Sequence, residues 1–301
     1  MAVLMATHNG IRWIDAQIKS ILDQESVNLT LFISDDGSVD GTYEFLKKIS
    51  ARETRVVLLP KAKPFMNGAR NFYHLIRSLD FRAFDYVALS DQDDIWATDK
   101  LSRAMHQMNI QNATCYSSDV LAFWDNGKTT LIKKSQAQTQ YDYLFESAGP
   151  GCTFVMTSDS ALFLKKHLTQ FKGETDKILH HDWLIYALMR SSKFKWVIDN
   201  FLGVRYRQHE KNEMGAHLGF KATMRRVKKI FDGSWLGQVR MIASLCGEGE
   251  KKFIARYLKS QHEHYFALAL SAPSLRRRRR DACTLFFMFL SLGIKKLFTK
   301  P

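Results

Sequence analysis

Cysteine is scarce in this chain of 301 residues: four, at Cys115, Cys152, Cys246 and Cys283, spaced 37, 94 and 37 apart with no CxxC pair. That pattern excludes a disulfide scaffold and argues against a structural zinc site or a dithiol redox motif; reduced thiols are the expectation. Five prolines and sixteen glycines without a repeat exclude a collagenous or Pro-rich chain. Long apolar runs are missing too. The longest, Ala282–Ile294, has thirteen residues between Asp281 and Lys295. As a helix it spans about 20 Å, against roughly 30 Å for a bilayer core. Met1 leads straight into Ala-Val-Leu-Met-Ala, with no basic segment and no small-residue cleavage site, so no export signal is expected.

Acidic residues are short in one region only. Residues 1–200 hold 23 Lys+Arg and 23 Asp+Glu, whereas residues 201–301 hold 21 and 7, so the net charge of +14 sits entirely in the last third. The expectation is a neutral domain followed by a basic region. What remains, 46% apolar and 25% charged, is ordinary globular composition with ample material for a core.

The first hundred residues alternate strand and helix signals. Ala2–Ala6, Leu29–Ile33, Arg55–Leu59 and Asp85–Leu89 read as strands. Between and after them Ile14, Ile18 and Ile21, then Phe45, Leu46 and Ile49, then Phe72, Leu75 and Ile76, then Leu101, Ala104 and Met108 fall at helical spacing. Such alternation predicts an α/β fold, a mostly parallel sheet with flanking helices, with ligands bound beyond the carboxyl ends of the strands. Three strands end in polar clusters, Thr7–Gly10, Asp35–Ser38 and Asp91–Asp94, expected to converge on one crevice. Residues 114–218 are less regular: strands at Cys115–Val120, Cys152–Met156, Trp196–Ile198 and Leu202–Tyr206, helices near Ser160–Thr169 and Asp182–Arg190. From about Phe220 the pattern is helical and basic.

Asp91-Gln92-Asp93-Asp94 packs three carboxylates into four residues at a strand end, where they repel one another unless a cation or solvent compensates. Hard oxygen ligands of this kind suit Mg2+ or Mn2+ bridging to phosphates. The competing reading is a helix N-terminus, which also favours Asp. Asp35-Asp36-Gly37-Ser38 is equally compatible with a plain turn. Arg70 is either a second positive charge at a phosphate or a solvated residue at a helix start.

Taken in order, the motifs resemble those of the family 2 glycosyltransferases, most closely the bacterial branch containing rhamnosyltransferases of surface polysaccharide synthesis. The resemblance covers residues 1 to about 218 and rests on Thr7-His8-Asn9-Gly10, Gln17-x-x-Ser20-Ile21-x-x-Gln24, Ser34–Ser38 with Asp40-Gly41-Thr42, Asn71-Phe72, Ser90–Trp96, His181-Asp182-Trp183 and Arg207-Gln208-His209-x-x-Asn212. His8 stands where the family usually carries Tyr. The resemblance implies a GT-A fold over residues 1–218, with a nucleotide-sugar half at 1–110 and an acceptor half at 111–218; the charge and helical pattern add a basic helical, membrane-associating region at 219–301. It implies donor binding by Thr7, Asn9, Asp35, Asp36, Arg70, Asp91 and Asp93, with Asp35 accepting from the base. A divalent metal, Mn2+ or Mg2+, falls to Asp91 and Asp93. His209 either joins it or hydrogen-bonds the diphosphate or loop backbone.

An inverting transfer needs a base for the acceptor hydroxyl, and Asp182 matches that position; a simple N-cap is its alternative. The resemblance further implies a lipid-linked saccharide acceptor in O-antigen or capsule assembly, with the donor dTDP-rhamnose or a UDP-hexose. Nucleotidyl transfer to a sugar phosphate and a non-catalytic basic membrane-binding module are the rival readings. Lys221, Arg225, Arg226, Lys228, Lys229 and Arg276–Arg280, the last beside Leu285–Leu290, suit an anionic inner-membrane surface. Protein packing competes with that reading, and nucleic acid is not expected as a partner. The implied location is cytoplasmic, peripheral on the inner face of the membrane.

Overall fold

The computed structural model describes residues 1–61, 63–209, 233–258 and 264–298. The first half runs β1 (Ala2–Thr7), α1 (Ile14–Leu22), β2 (Thr30–Asp35), α2 (Thr42–Ser50), β3 (Val56–Leu58), α3 (Gly68–Ser78), β4 (Tyr86–Ser90), β5 (Ile95–Trp96) and α4 (Lys100–Ile110). It continues through β6 (Cys115–Ser118), β7 (Val120–Phe123), β8 (Thr129–Ile132), α5 (Asp142–Phe145), β9 (Val155–Thr157), α6 (Ser158–Gln170), α7 (Lys172–Thr175), α8 (His181–Ser191), β10 (Trp196–Asp199) and β11 (Val204–Arg207). Four helices close the described chain: α9 (Ser234–Leu245), α10 (Glu248–Tyr257), α11 (Tyr265–Leu275) and α12 (Arg279–Phe298).

Seven strands form the main sheet in the order β10-β6-β9-β4-β1-β2-β3, parallel except for β9, which runs against both neighbours. A four-stranded sheet, β5-β11-β7-β8, stands beside it. Every residue of β1 is buried, as expected of a strand covered on both faces. Its side chains alternate: Ala2, Leu4 and Ala6 join one core with α3, α6 and α8, while Val3 and Met5 join the other with α1 and α4. β4 and β2 flank β1, so their ends fall side by side, with Thr7 paired to Asp35. The polar clusters after these three strands therefore share one rim.

Two strand expectations change. Cys115–Val120 is not one strand: it divides at Asp119 into β6 and β7, which belong to different sheets. The Asp119 carboxylate causes the turn. It accepts the amides of Lys134 and Ser135 and the Ser135 hydroxyl (2.8 Å), pulling the chain out of the main sheet. Cys152–Met156 likewise splits into a single 3-10 turn at Gly151–Thr153 and the short β9.

The C-terminal helices are built into the first core, where Leu236, Val239, Ile242, Leu268, Leu285 and Phe289 are buried with residues of α3, α6 and α8. Arg277 fastens them. Its side chain is fully buried, donating to Asp142 at 2.7 Å and to the Ser147 carbonyl at 2.7 Å, while its amide donates to Glu146. Asp142 also accepts from the Tyr186 hydroxyl (2.7 Å) and Arg190. The run Arg276–Arg280 is thus not one surface cluster: Arg277 is internal, Arg276 partly so, and Arg278–Arg280 are exposed. Lys221, Arg225, Arg226, Lys228, Lys229 and Asn212 lie outside the described residues. No helix among the described residues is long and apolar enough to cross a membrane.

Candidate functional site

At the joined ends of β1 and β2, Asp35 Oδ1 accepts from Thr7 Oγ1 (3.1 Å) and Ser38 Oγ (2.5 Å), and Oδ2 from the Ser38 amide (2.9 Å). Asn9, held at φ 50°, donates its amide to Ser38 Oγ and accepts from the Val39 amide. His8 Nδ1 lies 2.8 Å from the Asp36 carbonyl and its Nε2 2.9 Å from Asn9 Nδ2. Asp36 points elsewhere: its carboxylate accepts the amides of Phe65 and Asn67, anchoring the loop that leads into α3. Thr7, Asn9 and Asp35 come together; Asp36 acts one layer behind them.

Polar side chains of α1 and of Gln24 just after it form the scaffold of the next loop. Gln17 donates to Ser90 Oγ (2.8 Å), Ser20 Oγ accepts the Trp96 amide, and Gln24 bridges the Ala97 carbonyl and the Leu101 amide. That loop carries Asp91–Asp94. Gln92 turns back and binds both backbone groups of His8 at 2.8 Å each. Gly10 faces this amide so closely that a Cβ would meet Gln92 Oε1 at 2.3 Å. The strand ends are thereby locked to each other.

Asp93 Oδ2 sits 2.7 Å from His209 Nε2, and the His209 ring stacks on Trp13 with centroids 4.0 Å apart. Arg207 supports the same loop, donating its amide to Asp94 Oδ1 and its Nε to the Asp93 carbonyl. Asp91 groups with Asp94 and Cys152, whose possible ligand atoms lie within 4.8 Å of one another. Burial, then the charges of Asp93 and Asp91, push the Asp94 carboxyl well up; burial does the same to the Cys152 thiol. The Cys152 sulfur is a soft donor that suits Mg2+ or Mn2+ poorly. Asp93 and His209, paired at 2.7 Å, offer a carboxylate oxygen and an imidazole nitrogen, whereas Asp91 groups instead with Asp94 and Cys152. Beneath them Lys100 is buried with its ammonium 3.3 Å from the centroid of the Trp96 ring, and burial lowers it to about 7.

α8 begins with His181 and Asp182. Asp182 is partly exposed, and its Oδ1 accepts the Trp183 amide (2.8 Å). The His181 ring stacks on Phe72 at 4.1 Å, and burial lowers its pKa to about 4. Trp183 Nε1 donates to the Tyr143 carbonyl (3.0 Å), fixing the start of the helix. α3 connects this helix to the strand ends. Asn71 donates to the carbonyls of Thr7 and Ser34, and the next residue, Phe72, supports His181. Arg70 turns away, its Nε donating to the Asp176 carbonyl.

Spacing alone does not reveal several of these parts. Gln92 looks like a spacer between acids, and Trp13 like core. Lys134, lying over Gly149 and lowered by burial, gives no signal outside the fold. Asn71-Phe72 is the exception, since the pair stands at a helix start beside Arg70.

The family model described as glycosyl transferase family 2 matches residues 2–170. A dTDP-rhamnosyl transferase, RfbG, of Shigella flexneri is 37% identical over 287 residues, covering 95% of this chain and 99% of the relative. The Escherichia coli enzyme WfgD, named a UDP-Glc:alpha-D-GlcNAc-diphosphoundecaprenol beta-1,3-glucosyltransferase, is 28% identical over 164 residues, 54% of this chain and 61% of its own. Among solved structures, S. aureus TarS 1-349 in complex with UDP superposes with a TM-score of 0.57 at 12% identity, covering 98% of this chain and 91% of that one. That last likeness concerns the fold.

Proposed function

The chain belongs to glycosyl transferase family 2, and from that premise we propose that it transfers rhamnose from dTDP-rhamnose to a lipid-linked saccharide in bacterial polysaccharide assembly. One observation carries the donor: 37% identity to a dTDP-rhamnosyl transferase along nearly the whole of both chains. The diphosphoundecaprenol acceptor in the name of the E. coli relative supports the acceptor class.

The residues supply a consistent division of labour. Asp35, positioned by Thr7 and Ser38, accepts from the N3–H of thymine at the strand ends. Asn9 and the His8 turn, locked by Gln92, fix the adjoining wall. We assign the divalent cation to Asp93 and His209, with Asp91 on the same loop, and such a cation would supply neutralisation of the departing diphosphate. Asp182 takes the proton of the attacking acceptor hydroxyl on the opposite side, giving inversion. His181, kept neutral by its burial against Phe72, orients the backbone that carries Asp182.

Thermal unfolding with a panel of nucleotide sugars and Mn2+ tests the donor. A nucleotide at 100 times its Kd stabilises by about 2.7 kcal/mol. Protection by dTDP and dTDP-rhamnose is expected. Protection by UDP-hexoses with none from dTDP-rhamnose overturns the reading.

A further inference from the structure

α11 and α12 pack side by side, with the Phe266 ring seated over Gly293 and Tyr265 near Phe289. The inner face of α12, Leu285, Phe289 and Leu292, is buried in the domain core. A helix at a protein surface should then turn polar outward. This one does not. Cys283, Phe287, Ile294 and Phe298 recur at intervals of four, seven and four on the opposite face, and all are exposed. Leu297 lies beside them, and Phe266 and Leu270 continue the patch onto α11, Leu270 at 78% and Phe298 at 85% exposure. Six of the fourteen exposed large apolar side chains among the described residues belong to these two helices.

Charge identifies what the patch fits. Residues 264–298 contain seven Arg and Lys and one acid, Asp281. Arg278–Arg280 are exposed where α12 begins, and Lys295 is exposed near its end. An apolar stripe bordered by cations and nearly free of acids complements anionic lipid headgroups over an acyl layer. We infer that the outer face of α11 and α12 docks on an anionic membrane surface, the apolar side chains entering the interface and Arg278–Arg280 meeting headgroups. Arg277, next to Arg278, is buried and ties the connection between the two helices to the Ser147 carbonyl, so the outer face is held fixed on the domain.

The test is co-sedimentation of the full chain with vesicles of phosphatidylglycerol and phosphatidylcholine, and of phosphatidylcholine alone. Wild type is expected to sediment with the anionic vesicles. The pair Leu270→Ser and Phe287→Ser should lose tenfold or more in partitioning, and Arg278→Gln with Arg279→Gln and Arg280→Gln on the order of 100-fold at low salt. All five positions are exposed, so unfolding midpoints and dTDP binding stay at wild-type values. Those readouts separate this inference from the donor assignment. Wild type remaining in the supernatant overturns the inference, as does unchanged sedimentation of both variants. A concentration-dependent dimer that Leu270→Ser and Phe287→Ser disperse assigns the face to a second copy and also overturns it.

Discussion

Gly151→Ala isolates the contact that positions the proposed base. A Cβ at residue 151 would lie 2.2 Å from His181 Nε2 and 3.1 to 3.2 Å from two ring carbons. The glycine backbone is not in the left-handed region, so alanine meets only this steric conflict. The imidazole cannot simply retreat: one face is stacked on Phe72, and the helix it starts is tied by Trp183 to the Tyr143 carbonyl. Overpacking of this kind costs about 1–3 kcal/mol. Because Asp182 follows His181 directly, a shift near 1 Å at the base should lower kcat on the order of 100-fold with donor Kd unchanged. The assay is a double-mutant cycle in urea with His181→Ala, which removes the ring the new methyl meets. Gly151→Ala should then cost less than about 0.5 kcal/mol, leaving a coupling of about 1–3 kcal/mol. Equal costs in both backgrounds would refute the steric argument.

Three further predictions concern Arg277, the titration of His181, and Asp93. Arg277→Met leaves Asp142 short of its buried partner and should destabilise by about 3–5 kcal/mol in denaturant unfolding, whereas Arg279→Met, at an exposed position, should stay within about 0.5 kcal/mol. His181 is held near 4 in the folded state, below its ordinary 6.5, so between those values the unfolded chain binds more protons. Stability should accordingly fall as pH drops through that window, by up to about 3 kcal/mol, and His181→Asn should flatten that limb of the curve. Asp93→Asn should reduce Mn2+-dependent dTDP binding at least tenfold in calorimetric titration; wild-type affinity in this variant removes Asp93 from the cation site.

The doubly covered strands were plain in the sequence because burial on both faces demands continuous apolar runs, as in Ala2–Ala6. Their polar ends marked the crevice for the same reason: nothing else could follow a buried strand at a ligand rim. The break at Asp119 was not visible, because it depends on amides fifteen and sixteen residues further on. β8 is an exposed edge with little apolar signature. Within Arg276–Arg280 no composition rule selects Arg277 for burial; its partner Asp142 lies 135 residues away. The family resemblance implied donor binding by Asp36, and its carboxylate accepts the amides of Phe65 and Asn67. Adjacent residues on a turn point in different directions, and spacing does not say which one faces the ligand.

The most direct test of the donor and the base together is transfer of labelled rhamnose from dTDP-rhamnose into the lipid-extractable saccharide fraction of polysaccharide-producing bacterial membranes, with UDP-glucose as the parallel donor. The account predicts incorporation from dTDP-rhamnose by the wild-type protein, and a loss of about 10²–10⁴-fold with Asp182→Asn at unchanged donor affinity. Incorporation from UDP-glucose alone, or an Asp182→Asn variant transferring at the wild-type rate, would contradict it.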